Sequence, residues 1–168
     1  MVAVYLALGS NLGDRVANLR AAIAALAARV QVQRLSPVYE TSPMYVLDQP
    51  RFLNMVVAGD TAISPTELLT FVKSVEAELG RGPGVRFGPR QIDIDILFYG
   101  DAVLALPGLD IPHPRLAERA FVLRPLADIA SERGHPVLRR TVADLLADLD
   151  PSEPLVRHAV HPPLEVAA

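Results

Sequence analysis

The chain has 168 residues, a net charge of −3 and no cysteine, and its length is typical of one domain with a substantial hydrophobic core. The absence of cysteine excludes disulfides and thiolate metal sites, and 15 arginines against a single lysine give no diffuse basic surface for gripping nucleic acid. The length predicts a single domain over residues 1–168. Because the chain also lacks an apolar run of about 18 residues and the basic start of a signal peptide, a soluble, cytoplasmic protein is expected.

The first part of the chain is predicted to form a strand and then a helix. Val2 to Leu8 is a short apolar run, and helical spacing of apolar residues continues to about Arg29 after the turn Gly9-Ser10-Asn11-Leu12-Gly13-Asp14. The turn has the glycines of a phosphate-binding loop, but it lacks the Gly-Lys-Ser/Thr ending of a P-loop. A helix N-terminal cap is therefore the preferred interpretation, and phosphate binding is the weaker one.

Further strands and a second helix follow. Partial alternation predicts a strand within residues 30–40 and another over Phe52 to Thr61. Phe52 and Asn54 share one face of the later strand, where they are typical of a core ring and a structural hydrogen bonder. The Ser64-Pro65-Thr66-Glu67 capping box predicts the next helix.

The most informative stretch, Arg86 to Gly100, is predicted to be a loop that leads into a buried strand. Asp93 and Asp95 point to one face of this strand, roughly 6.5 to 7 Å apart, while isoleucines occupy the other face. The pair is either the solvated face of an amphipathic strand or a cation site, because two like charges repel unless a cation lies between them. Mg²⁺ is typically held by one or two carboxylates and substrate phosphates. Three nearby arginines suit phosphate oxygens and favour a polyphosphate substrate: Arg81, Arg86 and Arg90.

The end of the chain is predicted to add short elements. Two short strands precede Pro112-His113-Pro114, whose histidine is equally compatible with a structural role and with a phosphate contact. Residues 119–130 are predicted as short helical turns interrupted by Pro125, and Thr141 caps a last helix. Residues 151–168 contain four prolines and are predicted as a tail.

The predicted order of elements is βαββαβ, with the helices on one side of a mainly antiparallel sheet. This order is the ferredoxin-like pattern, a two-layer α+β sandwich, and the last helices are C-terminal additions to it. The sequence contains no internal repeat and no domain linker, so one catalytic domain is expected.

The stretch from Arg86 to Leu97 resembles the signature of the 6-hydroxymethyl-7,8-dihydropterin pyrophosphokinases, which transfer diphosphate from ATP in folate biosynthesis. Further motifs shared with this family run through the chain as far as about Asp150: Gly9-Ser10-Asn11, Tyr39-Glu40-Thr41, Asp48-Gln49-Pro50 with Phe52-Leu53-Asn54, Gly80-Arg81, Gly88-Pro89-Arg90, Pro112-His113, and Arg119 with Phe121. The resemblance implies a ferredoxin-like monomer that uses two Mg²⁺ ions, with ATP and the pterin bound across one face of the sheet.

The resemblance also implies roles for individual residues. Asp93 and Asp95 are the implied metal ligands, and with Arg81 and Arg90 they form the implied catalytic set. The implied contacts of ATP are Arg81, Arg90, His113 and Arg119 at the phosphates, with Glu76 and Ile96 near the adenosine. The implied contacts of the pterin are Phe52 and Phe121 on its two ring faces, Thr41 and Asn54 at its polar edge, and Met44 at the wall. The resemblance thereby reverses the structural interpretation of Asn54 that the strand pattern alone favours.

The loop before the two aspartates departs from the family pattern. Where the family usually has a second arginine and a tryptophan, this chain has Pro83 and Phe87, in a slightly shorter loop. Arg86 is the candidate replacement for the missing arginine. The glycines within residues 81–89 predict a lid that closes over ATP and brings Arg81 to the transferring phosphate.

Two other functions stay open on the residues alone. A metal-dependent phosphohydrolase or nuclease also needs paired carboxylates and arginines, and a ferredoxin-like sensor would bind nucleotide without turnover. AMP release that requires a pterin would exclude the first, whereas ATP binding unaffected by Mg²⁺ would favour the second. No nucleic-acid or membrane partner is expected. No general base is visible, so positioning and charge stabilisation are expected to carry the rate.

Overall fold

The computed structural model describes residues 1–41, 50–80, 91–150 and 154–166, and shows a mixed α/β fold. No helix within these ranges is long and apolar enough to cross a membrane. The elements in chain order are β1 (Val2–Ser10), α1 (Arg15–Leu26), β2 (Val30–Leu35), β3 (Tyr39–Thr41), β4 (Phe52–Thr61), α2 (Pro65–Leu79), β5 (Asp93–Tyr99), β6 (Leu104–Leu106), β7 (Leu109–Ile111), a 3-10 turn (Leu116–Glu118), α3 (Ala120–Ala130), α4 (Val142–Ala147) and β8 (Val156–Arg157).

The main sheet has six strands and is antiparallel throughout. Its order is β5-β1-β4-β3-β8, and β2 pairs with another part of β4. The ladder between β1 and β4 places Gly9 opposite Asn54, and the ladder between β1 and β5 places Gly9 opposite Asp93. Three adjacent strands therefore bring Asn54, Gly9 and Asp93 side by side at one end of the sheet.

Helices cover both faces of this sheet. On one face, α1 and α2 enclose the main core with strand residues such as Leu6, Leu53 and Ile94. On the other face, α3 and α4 pack against residues that include Val56 and Phe98, and they form a second core. The expected placement on one side concerns the two helices of the βαββαβ order and matches α1 and α2, whereas α3 and α4 are C-terminal additions for which no face was predicted. Because β1 and β4 are apolar on both faces, both faces need a cover.

The predicted cap of α4 is confirmed at Thr141, and the two predicted caps at the starts of α1 and α2 are confirmed as well. The Asp14 side chain accepts a hydrogen bond of 3.0 Å from the backbone of Ala17. Ser64 and Glu67 form a reciprocal capping box, with Pro65 in the first turn. Both helices begin where their side-chain chemistry predicts.

The predicted interruption at Pro125 is wrong, because α3 is continuous from Ala120 to Ala130. A proline inside a helix costs about 3 kcal/mol, whereas burying one large apolar side chain contributes about 1.5 to 3 kcal/mol. Val122, Leu123 and Leu126 are all buried in the second core. Their burial outweighs the cost of the proline.

Strand β5 confirms the predicted alternation at its first residues and then breaks it. Ile94 and Ile96 are buried in the main core, while Asp93 and Asp95 lie on the opposite face. The register shifts near Leu97, because Tyr5 and Leu6 pair with residues 98 and 96 respectively. Leu97 is therefore the extra residue of a β-bulge.

The described part of the predicted tail, residues 154–166, docks on the domain. Strand β8 pairs with β3 at the sheet edge. Beyond it, Val160 and Leu164 pack against the main core, and Arg20 donates a hydrogen bond of 2.7 Å to the carbonyl of Pro162. The sequence had given no indication of this contact.

Candidate active site at one end of the sheet

The two aspartates of β5 stand on the sheet face that carries α3. The Asp95 side chain is 47% exposed, whereas Ile94 between the two aspartates is buried. Two carboxylates that face solvent from alternate positions of one strand supply the hard oxygen donors that Mg²⁺ prefers. No cluster of three or more His, Asp or Glu suited to a metal is found within residues 1–41, 50–80, 91–150 and 154–166. Phosphate oxygens and water are the other ligands that Mg²⁺ commonly takes beside one or two carboxylates.

Glu76 forms a hydrogen bond with the backbone of β5 between the two aspartates. The Glu76 carboxylate accepts a hydrogen bond of 2.8 Å from the backbone N–H of Ile94, and it also forms a 3.1 Å ion pair with Lys73. Strand β5 is an end strand of the sheet, so among the described residues no strand pairs with this N–H on that side. The resemblance implies that Glu76 lies near the adenosine, and the structure adds a positioning contact to the aspartate strand that sequence reasoning missed.

His113 is oriented toward Asp95 by its neighbours. The backbone N–H of His113 donates to the carbonyl of Leu97 at 3.0 Å, and its Nδ1 accepts from the backbone of Arg115 at 3.2 Å. Its Nε2 then lies 4.0 Å from Asp95 Oδ2. Burial lowers the pKa of His113, and Arg119 and Arg115 lower it further, while Asp95 acts in the opposite direction.

Arg119 and Phe121 lie at the start of α3, which brings them to the same face. The Arg119 guanidinium carbon lies 5.5 Å from the centre of the Phe121 ring, a cation–π contact. Its buried Nε forms no hydrogen bond within the part of the chain that the structure describes. Arg119 thus places a guanidinium charge beside an aromatic ring on the face that carries the aspartates.

The polar residues predicted for the pterin edge are in direct contact. The amide of Asn54 donates a hydrogen bond of 2.7 Å to the hydroxyl of Thr41, and both side chains are buried. Phe52 pairs with Thr41 across the ladder between β3 and β4, so all three side chains share one sheet face. The structure brings these three predicted residues together.

Gly9 forms the floor between the polar pair and the aspartates. A Cβ atom at Gly9 would lie 3.0 Å from Asn54 Oδ1 and 3.6 Å from a ring carbon of Phe52. Adjacent strands are about 4.8 Å apart, so Asn54 and Asp93 are separated by about 10 Å across this residue without a side chain. The turn that begins at Gly9 therefore has a packing role, which sequence reasoning missed because the partner residues are distant in the chain.

The two strand ends that flank residues 42–49 are anchored by Arg15 of α1 and by the turn before it. Arg15 forms a 2.8 Å ion pair with Glu40 and donates a hydrogen bond of 2.9 Å to the carbonyl of Arg51. The side chain of Asn11 donates to the carbonyl of Pro50 at 3.0 Å. These contacts fix the strand ends that carry Thr41 and Phe52, and the charge pattern alone does not reveal them.

One predicted site residue does not face the site with its side chain, and others lie outside the described residues. Ile96 is buried in the main core, on the face opposite the aspartates, so a contact between Ile96 and adenosine would use its backbone at the edge of β5. The predicted lid and four predicted contacts lie outside the described residues: Met44, Arg81, Arg86 and Arg90.

Comparison with known proteins matches the chain to relatives from plants and bacteria. The mitochondrial folate synthesis bifunctional protein of Arabidopsis thaliana is 50% identical over 127 residues, which are 75% of this chain and 23% of that protein. The chain thus spans about a quarter of the length of this first relative. The 2-amino-4-hydroxy-6-hydroxymethyldihydropteridine pyrophosphokinase of Bacillus subtilis is 48% identical over 130 residues, which are 76% of this chain and 78% of that protein. The protein of the same name from Aquifex aeolicus is 41% identical and is covered to 90%.

A solved structure and a family model agree with these relatives. The crystal structure of wild-type Plasmodium falciparum HPPK-DHPS superimposes with a TM-score of 0.70 at 18% identity, over 87% of this chain and 44% of that chain, and it shows the likeness of fold. The model of the 7,8-dihydro-6-hydroxymethylpterin-pyrophosphokinase (HPPK) family matches residues 5–131, which include every candidate site residue. The chain therefore belongs to the 7,8-dihydro-6-hydroxymethylpterin-pyrophosphokinase family.

Proposed function

We propose that the protein is an ATP-dependent pyrophosphokinase of tetrahydrofolate biosynthesis. It transfers diphosphate from ATP to 6-hydroxymethyl-7,8-dihydropterin and gives AMP and the pterin diphosphate. The observation that carries this proposal is the strand register, which sets the polar Asn54 and the acidic Asp93 on either side of Gly9. Two relatives that the chain covers to 78% and 90% bear the name of this activity.

The metal is assigned to the aspartates of β5. Asp93 and Asp95 are the proposed ligands of Mg²⁺, with two ions expected from the family resemblance. When bound, Mg²⁺ neutralises phosphate charge and polarises the phosphoryl oxygens. The chain itself holds the two carboxylates on a strand whose backbone is fixed by Glu76.

The pterin is assigned to the pocket side formed by β3, β4 and the start of α3. Asn54 and Thr41 meet the polar edge of the ring, and their mutual hydrogen bond fixes the amide so that Oδ1 faces Gly9. Phe52 and Phe121 are proposed to stack on the two ring faces. Met44, which follows Thr41 by three residues in the chain, is proposed as part of the wall.

The nucleotide is assigned to the other side of the aspartates. His113 and Arg119 are the described residues proposed to contact the phosphates, together with Arg81, Arg86 and Arg90. The adenosine is proposed to lie along the open edge of β5, near Glu76 and the backbone of Ile96. The arginines supply charge-assisted hydrogen bonds to phosphate oxygens.

The transfer joins the pterin hydroxymethyl oxygen to the β-phosphorus of ATP. As that O–P bond forms, the bond between the β-phosphorus and the bridging oxygen of the α-phosphate breaks, the hydroxyl proton is lost and AMP leaves. The residues of this site bind, align and neutralise charge, which is the usual contribution of a protein to phosphoryl transfer.

The finer description of the fold is also a proposal. The order β5-β1-β4-β2 with antiparallel neighbours supports a ferredoxin-like βαββαβ core, formed by β1, α1, β2, β4, α2 and β5. The added elements are β3, the hairpin of β6 and β7, α3, α4 and β8. A monomeric state stays a prediction, and so does a cytoplasmic location, since two relatives are named as mitochondrial proteins.

A single assay tests the proposed activity. The full chain is incubated with Mg²⁺, ATP and 6-hydroxymethyl-7,8-dihydropterin, and AMP and the pterin diphosphate are measured by chromatography. AMP that forms only with the pterin present is the expected result. Inorganic phosphate released without the pterin would indicate a phosphohydrolase, and ATP binding without any product would indicate a sensor.

A further inference from the structure

The C-terminal segment adds a strand beside the residues assigned to the pterin. Strand β8 pairs with β3 through Tyr39 opposite Arg157 and Glu40 opposite Val156. The backbone N–H of His158 donates a hydrogen bond of 2.8 Å to the carbonyl of Val38. This bond makes Tyr39 and Arg157 a non-hydrogen-bonded pair, the type in which facing side chains come closest.

A polar network connects this edge of the sheet to α3. The Tyr39 hydroxyl donates a hydrogen bond of 2.5 Å to Asp128 Oδ2. Arg124 forms a 3.0 Å ion pair with the other oxygen of Asp128, whose side chain is only 14% exposed. Arg157 faces Tyr39 across the ladder, which places its side chain beside this network, and the Tyr39 side chain raises the pKa of its guanidinium.

The two elements that this network joins carry opposite walls of the proposed pterin pocket. Strand β3 ends at Thr41, which is on the same face as Tyr39 because alternate residues of a strand share a face. Helix α3 carries Phe121 in its first turn and Asp128 two turns later. A change in the spacing of β3 and α3 would therefore change the spacing of Thr41 and Phe121.

We propose that the C-terminal segment, residues 154–166, is a positioning strap that fixes Thr41 and Phe121 at the separation the pterin needs. The inference rests on the assignment of these two residues to the pterin under the proposed function. The segment is attached at both ends, by β8 on β3 and by the hydrogen bond from Arg20 on α1 to Pro162. Val160, between these two points, and Leu164, just beyond the second, supply apolar contacts to the main core. The family match ends at residue 131, so the strap lies outside the part of the chain that the family model covers.

A single substitution can remove a backbone hydrogen bond that holds the strap beside β3. His158→Pro removes the N–H that bonds the carbonyl of Val38, and a proline is otherwise tolerated at a sheet edge and keeps the preceding residue extended. His158→Ala keeps the N–H and is the matched control. A hydrogen bond is worth about 0.5 to 1.5 kcal/mol, so the pterin dissociation constant should rise roughly twofold to tenfold in His158→Pro.

Calorimetry on the full chain measures the dissociation constants of the pterin, in the presence of a nonhydrolysable Mg²⁺-nucleotide, and of the nucleotide alone. The expected result is weaker pterin binding in His158→Pro, unchanged nucleotide binding, and no change in His158→Ala. A role in stability alone would lower the unfolding temperature of His158→Pro without changing pterin affinity at a temperature where it is folded.

A second pair of variants tests the network itself. Arg157→Ala should weaken pterin binding, and Arg157→Lys, which keeps the charge and most of the stem, should restore part of it. Phe121→Ala is measured alongside as the test of the proposed pocket. If Phe121→Ala weakens pterin binding but His158→Pro and Arg157→Ala do not, the pocket stands and the strap is overturned. If Phe121→Ala also leaves pterin binding unchanged, the pocket assignment is wrong and the strap proposal fails with it.

Discussion

The amide of Asn54 donates a 2.7 Å hydrogen bond to the hydroxyl of Thr41 in a buried position at the end of the sheet. With its N–H group engaged there, the amide carbonyl oxygen is the atom that faces Gly9. The pair thus presents an oriented acceptor beside the floor of the pocket. Its geometry depends on the absence of a side chain at residue 9.

Gly9→Ala should damage this pair while the fold is retained. The added Cβ would lie 3.0 Å from Asn54 Oδ1, so the amide has to move, and pterin affinity should fall about tenfold while ATP affinity is unchanged. Gly134→Ala is the control, because nothing described lies within 4 Å of a Cβ at that position. Equal pterin affinity in both variants, measured by calorimetry, would contradict the assignment of Asn54 to the pterin.

Asp95→Ala should abolish turnover without unfolding the protein. The side chain is 47% exposed, so its removal opens no core cavity, and it takes one carboxylate from the proposed metal pair. The loss should exceed about 100-fold, the upper range for outer-shell partners of a metal. Asp93→Asn should be impaired as well, and Asp150→Ala, at an exposed position, is the control. Substantial AMP production by folded Asp95→Ala would overturn the metal assignment.

Glu76 variants separate a positioning role from a contact with adenosine. Glu76→Ala leaves the Ile94 N–H without its acceptor, at a cost of about 1 to 3 kcal/mol, so kcat should fall and the Mg²⁺ requirement should rise. Glu76→Gln keeps an acceptor oxygen and should retain most of the activity. If both variants change only the KM for ATP, Glu76 contacts the nucleotide and does not position the strand.

The protonation of His135 should lower the free energy of unfolding at acidic pH. Its buried ring accepts hydrogen bonds at Nδ1 from the backbone of Val137 at 3.1 Å and Leu138 at 3.0 Å. Burial lowers the pKa of His135, and Arg133 lowers it further. As the pH falls, the His135 side chain therefore binds a proton near pH 6.5 in the unfolded chain and only at lower pH in the folded chain. The contribution of His135 to the free energy of unfolding is thus fully present above about pH 6.5 and decreases as the pH drops below it.

Denaturant unfolding of His135→Asn between about pH 5 and 8 measures this effect. Asparagine can accept from the same backbone N–H groups but does not titrate, so the pH dependence should become shallower. His135→Ala should be less stable at every pH. The slope that remains in His135→Asn reports other groups, among them His113. A slope identical to that of the parent protein would show that His135 does not titrate on unfolding.

The elements were predictable from the sequence where the signal is local. The capping box at Ser64 and the alternation around Asp93 depend on neighbours within a few residues, and both appear in the structure as predicted. The wrong prediction at Pro125 has the opposite origin. The helix that contains Pro125 is stabilised by contacts with strands that are distant in the chain, and local helix propensity does not reflect such contacts.

The candidate site was predictable only in part for the same reason. The aspartates form a pattern within one strand, so their shared face follows from spacing. The packing of Gly9 against Asn54, and the hydrogen bond from Ile94 to Glu76, join residues on different elements. Contacts of this kind depend on strand register, which a single sequence specifies only through its hydrophobic pattern.

The bulge at Leu97 allows β5 to serve two purposes along one face. Before the bulge this face presents Asp93 and Asp95, and after it the same face presents Leu97 and Phe98 to the second core. If β5 kept Leu97 but alternated strictly, without the bulge, Phe98 would turn toward the main core and Tyr99 toward the second. The acidic end of the strand would keep its orientation, while Phe98 and Tyr99 at its buried end would exchange cores. Deletion of Leu97 would instead leave Phe98 opposite Tyr5 and facing the second core, and would remove only the buried Leu97 side chain from that core.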